Sequence, residues 1–250
     1  MTAKIPELRI DGAVATITLR RPQQANRLEP DDLAAICEHV AQVNAQSAVS
    51  VLRLQAGGKT FCAGYDIGRI GGERPVAFED MVNAVEDARP VTVVLLHGGV
   101  YGGATDLALA CDFRLGSTAT EMFMPAARLG LHFYRRGLER YVSRLGLDQA
   151  KRLFLTAEKI DAREMKAIGF LTQLVEPDAL QAAADTLATT LSTMAPLAVT
   201  GMKKNLNRIA RGALDPSELQ RDIERAAASR DLQEGRTAWA EKRAPRFTGQ

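Results

Sequence analysis

The sequence predicts an α/β core continued by helices alone, and three observations carry that expectation. Runs of aliphatic and β-branched residues at 13–19 (AVATITL), 50–55 (SVLRLQ) and 91–96 (VTVVLL) read as strands. Stretches with apolar residues at helical spacing separate them. Beyond residue 177 only helical patterns follow, which is the signature of a sheet-and-helix core with a helical extension. At 250 residues, 46% hydrophobic and 25% charged, the composition suits one large globular unit.

The elements follow in order. An Asp11-Gly12 turn precedes the first strand, Arg20-Arg21-Pro22 ends it, and QQANRLEP is a loop. Residues 30–46 carry Leu33, Ile36, Val40 and Val43 on one face, with Pro30 at the helix start and His39 on the surface. The second strand leads into AGGKTFCAGYDIGRIGG, a glycine-rich loop turning helical near Asp66. Residues 78–87 are helical, and Arg89-Pro90 stops them before the third strand. Residues 112–115 read as a short strand and 122–125 as an extended piece. Helices are expected at 138–145, 148–155 and 162–168, and a strand at 171–175. Residues 177–194 form a long amphipathic helix with Leu180, Ala184, Leu187 and Leu191 on its stripe. Pro196 opens another, with Lys203 and Lys204 on a solvated face, and a charged helix covers 216–244.

The net charge of +2, with basic residues scattered among acids, gives no reason to expect nucleic acid. No apolar run approaches the roughly 20 residues of a membrane span, and the first residues lack a secretory apolar core. Cys37, Cys62 and Cys111 are odd in number and without metal-like spacing, so reduced thiols in a cytoplasmic protein are expected.

The segment that concentrates chemistry is 97–112, HGGVYGGATDLALACD. A strand, a glycine turn and a helix start leave first-turn N–H groups facing a cleft, where they can hold a developing oxyanion. Asp106, three residues after Gly103, is placed to move protons beside them. A tight strand–helix turn with a solvated acid is the competing reading. His97, at the strand end, is expected to hold backbone. The glycines do not match the G-x-G-x-x-G dinucleotide spacing, and no phosphate-loop lysine follows.

With these segments placed, the chain resembles the crotonase superfamily, the enoyl-CoA hydratase/isomerase family. The marks are LRRPQQANRL, FCAGYDI, YGGATDLALACDF, PAARLGL, LFLTAEKIDAREMKAIGFLTQLV, APLAV and EGRTAWAEKRAPRFTG, in that order. The resemblance implies a crotonase-like spiral of ββα repeats over residues 1–195 and a helical trimerisation region over 196–250. It further implies a homotrimer or homohexamer, an acyl-CoA thioester as substrate, and no cofactor or metal beyond the substrate's own CoA. The family's two oxyanion donors fall on the backbone N–H groups of Tyr65 and Gly103. CoA would lie along Gln24, Ala25, Ala63, Asp66 and Ile67, with Lys204 as a candidate for its phosphates.

The resemblance also shows a departure. Hydratases of the family use two glutamates; the first falls on Asp106 and the second on Ala126, which has no proton to exchange. Two-carboxylate hydration is therefore not expected, and the resemblance counts equally against the family's classical isomerases, which tend to rely on an acid at that second position. His132 and Tyr134, in the loop over the family's acyl pocket, and the phenol of Tyr65 are the other candidates for proton handling. Decarboxylases of the family also lack the second glutamate and carry a bulky polar side chain at the Tyr65 position. A thioester enolate enzyme with Asp106 as its acid/base is the leading expectation. A decarboxylase and a non-catalytic CoA-thioester-binding protein are the alternatives.

Overall fold

The computed structural model describes residues 5–69 and 75–250. Its larger sheet has six strands in the order β1-β2-β3-β4-β6-β9, formed by Glu7–Asp11, Val14–Leu19, Val51–Ala56, Val91–Leu96, Phe113–Ser117 and Gln173–Val175. The β1–β2 pair is antiparallel and the other neighbours are parallel. A smaller sheet joins β5 (Gly99–Tyr101), β7 (Glu121–Phe123) and β8 (Ile160–Asp161). The chain passes repeatedly from the first sheet to the second and then into a helix. That is the ββα repeat expected from the resemblance.

Strand alternation explains how β4 is buried along its whole length. Val94 and Leu96 face the main core, with α1 (Pro30–Asn44), α2 (Phe78–Glu86) and α3 (Gly103–Ala110). Val93 and Leu95 face a second core closed by Leu180, Ala184 and Ala188 of α7 (Leu180–Ser192). The helices between them are α4 (Arg135–Leu145), α5 (Leu147–Thr156) and α6 (Ala162–Ala167). Helices α8 (Pro196–Ala210), α9 (Pro216–Ala227) and α10 (Arg230–Ala240) complete the chain.

Several expectations are corrected. Strand β1 was not foreseen because the alternation of Leu8 and Ile10 with charged residues spans only five mostly exposed positions; pairing with β2 across Gly12 creates it. The short strands β5 and β8 likewise exist through pairing, not propensity. Helix α4 starts three residues earlier than expected, at Arg135. The charged tail is two helices, because Ser229 caps α10 by accepting the N–H of Leu232. His39 is half-buried, with its Nε2 3.0 Å from the carbonyl oxygen of Pro6, so it holds the N-terminal segment. Lys203 and Lys204 do not form a solvated face. Lys203 is buried against Asp112 (2.7 Å), and Lys204 bridges Glu218 and Asp222 at 2.8 and 2.7 Å.

Candidate active site

The loop 61–66 is laced to two neighbours. On one side Cys62 N–H donates to Gly99 O (3.3 Å) and Tyr101 N–H to Cys62 O (3.0 Å). On the other, Ala63 N–H donates to Ala25 O, Leu28 N–H to Gly64 O and Asp66 N–H to Leu28 O, all within 3.0 Å. Gly64, at φ +90°, makes the close approach possible. A Cβ there would lie 2.7 Å from Tyr101 O and 3.2 Å from Gly103 N. The main chain at Gly64–Tyr65 thus packs directly on the start of α3. Gly103 is the first residue of that helix, so its N–H is among the amides that no intrahelical carbonyl can satisfy. The Phe78 ring fills the space a Gly103 side chain would need.

The same lacing gathers the residues expected to line CoA. Ala25, in a left-handed conformation, bonds Ala63, and Leu28 bonds Asp66. Asp66 accepts the N–H of Gly68 and lies 3.4 Å from Arg27 Nη2. Gln24 and Ile67 are exposed beside them. Part of the loop that follows Ile67 lies outside the described residues.

Asp106 sits in the first turn of α3 and is fully buried. The reading of this acid as solvated is overturned. Arg140 of α4 grips it with both arms of the fork, Nε to Oδ1 at 2.9 Å and Nη2 to Oδ2 at 2.8 Å. The Tyr134 hydroxyl donates to Oδ2 as well. The Tyr134 ring stacks on Phe133, with centroids 4.5 Å apart, and meets Phe78 edge-on at 6.4 Å. Burial and then the charge of Asp106 push the Tyr134 phenol well above its ordinary value.

Arg140 also donates from Nη1 to Asn83 Oδ1 (3.1 Å) and Glu86 Oε2 (3.0 Å), so one guanidinium joins two buried carboxylates. Arg140 was not foreseen from the sequence. A signal was present: Gly137, Arg140, Tyr141 and Leu145 share the buried stripe of α4, and an arginine on such a stripe requires buried acids opposite it.

The expected site residues divide. The structure brings Tyr65, Gly103, Asp106 and Tyr134 together around α3 and the Phe78 ring, which lies 5.8 Å from that of Tyr65. It does not bring His132 to them. That side chain is exposed, with Nδ1 2.8 Å from the carbonyl oxygen of Phe133. His97 holds Gly58 O at 3.0 Å, as expected. Ala126 is buried. Among the described residues no group of three or more His, Cys, Asp or Glu is placed to hold a metal ion, and no helix is long and apolar enough to cross a membrane.

Burial pushes the Glu86 carboxyl up, but Arg140, Arg136 and Arg144 outweigh it and hold it below its ordinary value of 4.5. A carboxyl depressed in the folded state contributes stability above its unfolded value and loses it as pH falls through the folded one. The urea midpoint is therefore expected to stay level from pH 7 to about 5.5 and to fall below about 4.5. In Glu86→Gln that fall should be shallower. An equally steep fall would remove Glu86 as its source.

Sequence comparison gives this geometry a family. The model of the enoyl-CoA hydratase/isomerase family matches residues 9–250. The chain belongs to that family. Among its relatives, the short-chain-enoyl-CoA hydratase of Clostridium acetobutylicum is 28% identical over 252 residues, covering 93% of each chain. The methylmalonyl-CoA decarboxylase of Escherichia coli is 29% identical over 210 residues, covering 80% of each. A crystal structure of an enoyl-CoA hydratase from Bacillus anthracis superposes with a TM-score of 0.90 at 26% identity, over 99% of this chain and all of that one. As a crotonase-superfamily member with an α/β ββα core and a C-terminal helical bundle, the protein is an acyl-CoA-processing enzyme of the lyase/isomerase kind.

Proposed function

We propose that the enzyme forms a thioester enolate between the N–H groups of Tyr65 and Gly103, and that Asp106 handles the proton through Tyr134. The observation that carries this reading is the Tyr134 hydroxyl on Oδ2 of a fully buried Asp106. Arg140 has no lone pair and only donates. Among the described residues, the phenol is the partner of Asp106 that can both accept and release a proton.

The step balances as a relay. The Tyr134 oxygen takes the proton from the substrate's α-carbon while its own proton passes to Asp106. The electron pair left on carbon moves to the thioester oxygen, held by the two amides. Reversal at a different carbon shifts the double bond. The two donors replace water without reorganising, and losing one typically costs about 3 kcal/mol of barrier. With alanine at 126, neither a hydratase's second carboxylate nor a classical isomerase's acid stands at the family's other position, and isomerisation is favoured because one Tyr134–Asp106 pair can both take and return the proton.

One observation favours a second reading. Both oxygens of Asp106 are committed to donors, and a decarboxylase needs no base at the α-carbon. Cleavage of the carbon–carboxylate bond releases CO2 and leaves its electron pair as the enolate, which then takes up one proton. The exposed apolar residues Met202, Leu206 and Ile209 on α8 support the trimeric or hexameric assembly that the resemblance implies.

A panel of 2-enoyl-, 3-enoyl- and malonyl-type CoA esters tests both readings. Double-bond migration is expected from the parent, with Asp106→Asn and Tyr134→Phe slower by about 10²–10⁴-fold. CO2 release that survives Asp106→Asn in part would favour the second reading. Turnover unchanged by both substitutions would end the relay, and product from none of the esters would leave only a binding protein.

A further inference from the structure

Glu86 closes helix α2, is 3% exposed and touches none of the groups assigned to the reaction except Arg140. Its Oε2 accepts Arg140 Nη1 at 3.0 Å, Arg211 Nη1 at 3.2 Å and the Arg136 guanidinium, and Arg144 Nη2 stands 3.5 Å from Oε1. Three of these arginines come from α4, and the fourth, Arg211, caps the end of α8. Only Arg140 continues from Glu86 to Asp106. A guanidinium is planar and rigid, so holding one arm on Glu86 and Asn83 sets the plane in which the other two meet Asp106.

We propose that Glu86 is a positioning residue for the reaction: it fixes the Arg140 fork, and through it the orientation of Asp106 and of the Tyr134 hydroxyl. The proposal rests on the Tyr134–Asp106 relay described above. Asp87, the next residue, separates positioning from simple charge balance. It pairs with the same Arg136 and Arg211, at 2.9 and 3.1 Å, but not with Arg140. A role limited to neutralising the arginine cluster would make the two acids equivalent. A role in positioning falls on Glu86 alone.

The chain has four tyrosines, 65, 101, 134 and 141. Labelling their ring ζ-carbons with ¹³C gives a spectrum in which Tyr134→Phe identifies one signal. That signal should move in Asp106→Asn and in Glu86→Gln, and stay in place in Asp87→Asn. On a 3-enoyl-CoA ester, Glu86→Gln should lower kcat by about tenfold to a hundredfold, the cost of a small misplacement of reacting groups, with KM little changed. Glu86→Asp keeps the charge but is one methylene short of Arg140, and it carries the same test if the glutamine variant does not fold. A Tyr134 signal that moves in Asp106→Asn but not in the Glu86 variants overturns the proposal. So does an equal displacement in Asp87→Asn. A signal indifferent to Asp106→Asn overturns the relay itself, which tells the two failures apart.

Discussion

Arg140→Met is expected to lower the stability of the protein by about 3–5 kcal/mol, the range for removing one member of a buried ion pair. The arginine is 1% exposed, and its loss strands the fully buried Asp106 and takes one of four arginine partners from Glu86, 3% exposed. Methionine refills much of the volume, so the cost measures stranded charge more than a cavity. Glu86 keeps three other arginines, whereas Asp106 keeps the Tyr134 hydroxyl and loses both of its charged contacts. Urea unfolding of parent and variant at pH 7 checks this. A loss below about 1 kcal/mol, the size of a surface pair, would mean that the carboxylates find other partners or solvent. If the variant stays folded, turnover should fall with it, because the fork that holds both oxygens of Asp106 in one plane is gone.

Gly64→Ala should damage activity more than its size suggests. The residue sits at φ +90°, where an alanine is strained by about 1–3 kcal/mol. The new methyl would press on Tyr101 O at 2.7 Å and Gly103 N at 3.2 Å, both main-chain atoms without the freedom of a side-chain tip. Relief can come only by moving the loop bearing the Tyr65 amide away from the helix bearing the Gly103 amide. A displacement near 1 Å between groups that must act together costs about a hundredfold in rate. Measured kcat/KM on an accepted CoA ester should fall by that order while the fold survives. Unchanged kcat/KM would show that the two amides do not share one oxyanion.

The glycine control is Gly12→Ala, whose Cβ meets nothing within 4 Å, although φ is +56° there. It strains a turn without touching the site, and separates backbone strain from displaced amides.

Periodicity made the strands β2, β3 and β4 and the helices α1, α2 and α7 legible, because each buries a regular apolar face that residue order alone displays. It gave too little to place β1, β5 and β8, which span five residues or fewer and become strands when another segment supplies the hydrogen bonds. At the site, the glycine turn before Asp106 was readable because it is local, and the missing acid at Ala126 was readable through the resemblance. Arg140 and Glu86 were not singled out. They lie 34 and 20 positions from Asp106 in the chain, and the buried stripe of α4 shows that Arg140 needs an acid without showing which one.

Residue order, then, settled the kinds of element, the glycine positions where backbone must approach backbone, and which family of folds can accept them. Those are properties of short segments, governed by sterics and the burial of apolar faces. Folding in three dimensions decided that Asp106 is buried, tied to one arginine and hydrogen-bonded by one phenol. Charge and hydrogen bonding act across space, and only packing α3 against α4 brings those groups within 3 Å of each other.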